Sequence, residues 1–338
     1  MKSLRLVLLL GFHLSTHAQG IKPGDWEPMC KDITARPLIE PRITAPLTVA
    51  QLPGCNSEAL YYGFGTKPDY AAALQCAWYE RAHPNTTIAD MNRGVGVLTM
   101  LYANGRGVAK DVDLAMRFAC EQPWAAPLEM VERIQHLIDI KDGKRQTTPF
   151  DMCDDITSGL SMGKCTQVHF EFADAERNKK LSDVTANLTR GQRPLYDRLH
   201  TAEAAFEDIR INNEIDLFGT ARAAFMWDDL GRLREQFIIN LQRFSKGDVP
   251  PATAMDVTNL EAQMNALYQR IMQAPAASFA GTVNANTIRD TQRVWLKLRD
   301  AWLEFAKSAY PELSADRVVA QLLRLRLDQL RQLPIDVR

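Results

Sequence analysis

The sequence predicts an all-α protein: a short helical-repeat (α-solenoid) N-terminal domain followed by an antiparallel helical bundle. Three observations predict this. Apolar residues recur at helical spacing through the second half of the chain, as in Leu199, Ala202, Phe206 and Ile209, the pattern of a helix that buries one face. Breaks at Gly219, Gly247 with Pro250 and Pro251, Pro275, Gly281 and Pro311 separate these stripes, where helices are expected to stop. No alternating apolar–polar run of useful length suggests a strand.

The chain opens with Lys2 and Arg5, an apolar run from Leu6 to Phe12, and small residues around Thr16-His17-Ala18. This is the order of a secretory signal peptide, so residues 1–18 are read as a leader cleaved near Ala18. The apolar run falls short of the roughly 20 residues that a membrane helix needs, and no cysteine follows it to carry a lipid. A periplasmic or secreted protein without a membrane span is expected. Loss of Lys2 and Arg5 takes the 40 basic residues to 38 against 41 acidic ones, a net charge of about −3 with His neutral. Such a balance lacks the basic field that nucleic-acid binding draws on. Apolar residues at 46% and charged residues at 24% are ordinary for a folded globular chain.

All six cysteines, Cys30, Cys55, Cys76, Cys120, Cys153 and Cys165, lie in the first half. An even number in an exported chain reads as disulfides. Many pairings are possible; short loop length favours Cys55–Cys76 and Cys153–Cys165, which leaves Cys30–Cys120. No Cys-x-x-Cys pair or matching His pair points to a metal or redox site.

Residues 19–54 carry Pro23, Pro28, Pro37, Pro41, Pro46 and Pro53. Proline removes an amide donor and fixes a torsion, so this segment is expected to be extended and irregular, tied down at Cys30. Residues 55–123 contain an internal repeat. A shift of 42 residues sets Gly63 on Gly105, Gly65 on Gly107, Asp69 on Asp111, Ala73 on Ala115 and Ala77 on Ala119. The physical reading is two helix–turn–helix units, with glycines ending the first helix, Asp capping the second and alanines allowing close packing. The second unit, Gly94 to Asp111, resembles the Sel-one-like repeat family of short α-solenoid units. That resemblance implies a protein-interaction scaffold. The first unit departs from it in having a short opening helix around Cys55–Tyr62.

Residues 124–190 are read as capping helices with a disulfide-bearing loop. Leu128, Val131, Ile134 and Ile138 share a helical face, Asp142 to Thr148 is turn-rich, and residues 166–187 form a charged, mostly exposed helix. The adjacent Asp154 and Asp155 on the intervening loop are a pair of carboxylates of the kind that serves acid–base chemistry or binds a cation; with no converging His or third carboxylate in sequence, helix caps or solvated charge is the expected role. Residues 191–250 form a helical pair. Setting Phe206 on Trp295 also sets Ile209 on Leu298 and Arg210 on Arg299. This fits either a diverged copy of the last module or generic amphipathic pairing. Asn213 to Asp216 with Gly219-Thr220 makes a polar turn, read as a helix cap or a binding loop.

Residues 251–338 hold the last helices: a stripe of Leu260, Met264, Leu267 and Ile271, a second of Trp295, Leu298, Trp302 and Phe305, and a third of Val319, Leu323, Leu327 and Leu330. The run Gln292-Arg293-Val294-Trp295 followed by Arg299-Asp300 and Trp302 resembles the signature helix of the lysozyme inhibitor LprI-like family. The resemblance implies a small helical module of the bacterial envelope that binds a muramidase-type lysozyme. Gln292, Trp295, Arg299, Asp300 and Trp302 are expected to act mainly within the fold. Family members commonly carry cysteines at the end of that helix and in the last one; here none follows Cys165.

Catalytic signatures are missing. There is no Gly-x-Ser-x-Gly elbow, no His-Glu-x-x-His and no phosphate-binding loop. His83, His136, His169 and His200 are widely spaced. No catalytic residue, cofactor or metal is assigned. The sequence reads as a non-enzymatic envelope binding protein that protects the cell wall by binding a muramidase, with a scaffold acting through Sel-one-like repeats as the alternative.

Overall fold

A computed structural model describes residues 26–35, 37, 54–84, 91–122, 125–145 and 149–336. The leader proposed for residues 1–18 lies outside the described residues. Those described form twelve α-helices and no β-strand, so the fold is all-α; one isolated bridge joins Phe279 and Ile335.

The proline-rich segment differs from the extended path expected of it, because Trp26–Ala35 is a helix, α1. Pro28 falls in its first turn, where a missing N–H breaks no helical bond. Cys30, 6% exposed, is bonded to Cys120. That link holds α1 against the helices that follow.

Four short helices come next: α2 (Ser57–Tyr62), α3 (Tyr70–Ala82), α4 (Val95–Asn104) and α5 (Val112–Cys120). The α2–α3 and α4–α5 hairpins use the same bonds at a 42-residue offset. Gly63 and Gly105 end α2 and α4 in the left-handed conformation. Asp69 N–H donates to Leu60 C=O at 2.9 Å and Asp111 N–H to Tyr102 C=O at 3.0 Å. Each Asp carboxylate then caps its helix, accepting from Ala72 N–H and Leu114 N–H, both at 2.9 Å. Ala73, Ala77, Ala115 and Ala119 are fully buried. At Gly107 a Cβ would lie 2.8 Å from Tyr70 Cβ, so the hairpins meet too closely there for a side chain.

Helix α6 (Pro127–Lys141) buries Met130, Val131, Ile134 and Leu137, whereas Leu128 points outward. The long α7 (Gly159–Thr185) joins the two cores. Its Val168 belongs to the N-terminal core, while Leu181 and Val184 pack on the C-terminal one. Helices α8 (Arg193–Asn213) and α9 (Arg222–Ser245) follow. Small residues allow α7 and α9 to touch: a Cβ on Gly163 would sit 2.8 Å from Ala223 Cβ. Burial of Phe170 and Arg177 along this contact makes α7 less exposed than its charge suggests.

The last three helices are α10 (Ala254–Gln273), α11 (Ala285–Ala309) and α12 (Ala315–Arg331). Helices α8 and α11 run antiparallel, with Asn213 near Thr287 at one end and Arg198 near Glu304 at the other. Two pairs are parallel instead. In α7 and α9, Phe170 meets Trp227 and, further along both helices, Lys180 meets Glu235. In α10 and α12, Arg317 at the start of α12 donates to the carbonyls of Gly247 and Val249 ahead of α10, while Ala280 N–H bonds to Pro334 C=O beyond both helices. Each parallel pair is separated in sequence by one antiparallel helix, so two reversals restore the direction. Trp302, 1% exposed, anchors this core, with its ring centroid 5.2 Å from those of Phe237 and Phe244.

Candidate functional site

The signature residues of α11 divide by depth. Trp295 and Trp302 are buried in the core, where a large aromatic ring contributes a few kcal/mol through the area it removes from water. Gln292 is 8% exposed, and its Oε1 accepts from Arg326 Nε of α12 at 2.9 Å. Arg326 is fully buried and donates through Nη1 and Nη2 to Glu214, just past the end of α8. Glu214 also accepts from Arg210 at 3.0 Å, and Arg210 donates to Asp229 of α9 at 2.8 and 3.2 Å. Gln292 therefore fixes the orientation of an arginine that ties α12 to α8. The network joins α8, α9, α11 and α12, and a buried charge is tolerable when paired and hydrogen-bonded in this way.

Arg299 and Asp300 lie on the outer side. Asp300 accepts from Arg299 at 2.9 Å, Arg299 reaches Glu261 of α10 at 3.9 Å, and its guanidinium lies over the Trp295 ring. These contacts are half-exposed and weak. Arg210, aligned with Arg299 in sequence, occupies a different environment, since it is buried among carboxylates.

The turn around Asn213–Asp216 supplies the C-cap of α8, Glu214, whose N–H donates to Arg210 C=O at 2.9 Å, and it does more than cap. Glu214 is part of the buried network, whereas Asp216 builds a surface. Its carboxylate accepts from Phe218 N–H at 2.9 Å and from Thr282 N–H at 3.2 Å. Thr282 Oγ1 accepts from Leu217 N–H at 2.9 Å. One helix turn on, Asn213 and Thr287 exchange two hydrogen bonds. The α8–α9 and α10–α11 loops are thereby laced together. Gly281, at φ 57°, is demanded twice: by its left-handed backbone and because a Cβ would collide with the Asp216 carboxylate. On this fixed double loop Phe218 is 80% exposed. An aromatic ring held outward on an ordered turn loses little freedom when it is covered.

The remaining residues singled out in the sequence lie in the N-terminal half. Cys55 is bonded to Cys76 and Cys153 to Cys165. Glu80 lies close enough to Cys55 and Cys76 to suggest three metal ligands, but the sulfurs are bonded to each other. The Glu80 carboxylate accepts from Ser57 and from Gly94 N–H. None of the loop aspartates caps α7, whose cap is Ser158; Asp154 is exposed, as expected of solvated charge, whereas Asp151 and Asp155 are partly buried. Asp151 accepts from Tyr62 Oη at 2.8 and 2.9 Å, and Asp154 accepts from Asp151 N–H. Asp155 lies 2.9 Å from His136 Nδ1, with both side chains buried. The sequence separates this His–Asp pair by a turn and a loop, so spacing could not reveal it. It sits beside the Phe150 ring and has no nucleophile in hydrogen-bond reach among the described residues, so it reads as structural.

Residues 252–332, about a quarter of the chain, match a family model described as lysozyme inhibitor LprI. No curated protein and no solved structure matches. The segment made of α10, α11, α12 and the loop carrying Gly281 and Thr282 is thus similar to a family described by inhibition rather than catalysis.

Proposed function

We propose that this is a non-enzymatic protein of an extracytoplasmic compartment that protects the cell wall by binding and inhibiting a muramidase. The match of residues 252–332 to lysozyme inhibitor LprI carries the reading. Three disulfides support an oxidising compartment. None of the described helices is long and apolar enough to cross a membrane. The contact surface is the laced double loop with Phe218 at its tip, since half of it belongs to the matched segment and it presents the exposed anchor.

A second reading rests on the hydrogen bonds repeated between the α2–α3 and α4–α5 hairpins. In it these hairpins are Sel-one-like repeats that hold another envelope protein. The test is lysis of a cell-wall suspension by muramidases of several classes, with and without the purified protein. Slowed lysis at micromolar protein supports inhibition. Undiminished lysis across all classes overturns it and leaves the scaffold reading.

A further inference from the structure

Between α7, α8 and α9 lies a cavity of about 210 Å³. It is outside the segment similar to LprI and outside the double loop. Glu203 of α8 lines it at 7% exposure. Among the described residues no donor reaches the Glu203 carboxylate. Its neighbours are already committed. Arg234 donates to Asp174 at 3.0 Å and to Glu207 at 3.4 Å, and Arg177 donates to Asp174 at 3.2 Å and to Phe170 C=O. Both guanidinium groups also lie over the Phe170 ring. Asp174, Glu203 and Glu207 thus face two arginines, and the carboxylate left over is the buried, unpartnered one. A buried ion without a partner is costly; a cation entering the cavity would relieve that cost.

The walls narrow the choice of cation. Leu181, Phe237 and Ile238 supply an apolar side, while exposed His200 and Asn178 stand at the rim. The carboxylates of Glu203, Glu207 and Asp174 do not converge on one point closely enough to form a metal cluster among the described residues.

We propose that this cavity binds a primary alkylammonium group, either free or at the end of a lysine side chain. The ammonium donates to the Glu203 carboxylate, and the alkyl stem lies along Leu181 and Phe237. Burial pushes the Glu203 carboxyl well above the usual range, and the neighbouring Glu207 pushes it further. Binding of the cation therefore favours the ionised acid and expels a proton wherever the free acid holds one.

The test is calorimetric titration of the purified, disulfide-bonded protein with n-butylammonium, with n-butanol as the neutral counterpart. Saturable binding on the order of 1 mM is expected for so small a ligand, with about tenfold loss in Glu203→Gln and none for n-butanol. Proton release is read by repeating the titration in two buffers of different ionisation enthalpy. N-acetyl-lysine methylamide and its Nε-acetylated form identify the source. Binding by the unmodified form alone assigns a lysine side chain; binding by butylammonium but neither lysine form assigns a free amine. Absence of saturable butylammonium binding to the unaltered protein, or equal binding of n-butanol, overturns the proposal. So does a folded Glu203→Gln protein that binds butylammonium as tightly as before.

Discussion

Arg326 and Glu214 meet inside the C-terminal bundle with neither side chain exposed, the Arg326 Nη1 lying 2.9 Å from a Glu214 oxygen. The pair joins the last helix to the end of α8 across 112 residues of sequence. Gln292 of the signature helix bonds the same guanidinium. Glu214→Ala leaves Arg326 without its carboxylate and is expected to destabilise the protein by about 3–5 kcal/mol. Gln292→Ala removes one neutral acceptor and is expected to cost about 1–3 kcal/mol. Urea unfolding followed by circular dichroism checks both.

The signature residues are expected to separate by burial. Trp302→Ala empties the centre of the core and should cost about 3–5 kcal/mol. Arg299→Ala loses half-exposed pairing with Asp300 and Glu261 and a distant contact with the Trp295 ring, and should cost less than about 1 kcal/mol. The same unfolding measurement compares them.

Gly281 and Phe218 test the double loop from opposite sides. Gly281→Ala puts a methyl group where the Asp216 carboxylate sits, so the loops must separate. A loss of about 1–3 kcal/mol is expected, with faster amide exchange at Leu217, Phe218 and Thr282. Phe218→Ala removes an exposed ring and should leave stability within about 0.5 kcal/mol of the parent protein.

Glu203 gives the bundle a pH dependence. Its folded carboxyl titrates well above the ordinary value of 4.5 because it is buried. Between 4.5 and the raised folded value the folded chain holds a proton that the unfolded chain releases, so this group makes stability fall as pH rises. Below 4.5 both states are protonated and its penalty vanishes. Glu203→Gln should flatten this slope and raise stability at neutral pH by about 1–2 kcal/mol, as read from denaturant midpoints across pH.

The helical class was legible because apolar spacing and glycine or proline breaks are local signals. Gly63 and Gly105 repeat in sequence and also in backbone conformation, since a left-handed helix end selects the residue. Disulfides were legible from an even cysteine count beside a leader-like start. The α1 helix was hidden because Pro28 is harmless in a first turn. The His136–Asp155 pair, the Glu214 network and the Glu203 cavity were hidden for a common reason: each unites polar residues from different helices, and polar residues leave no periodic mark. The parallel pairing of α7 with α9 likewise depends on which faces meet, through Gly159 and Gly163, rather than on where helices begin and end.

The most direct measurement of the central proposal is calorimetric binding of the purified protein to muramidases of several classes, with Phe218→Ala in parallel. Saturable one-to-one binding to at least one class is expected, weakened in Phe218→Ala by about 2 kcal/mol or more, as befits an anchor. A protein that binds none of them, or binds equally well without the Phe218 ring, is not a muramidase inhibitor that acts through this double loop.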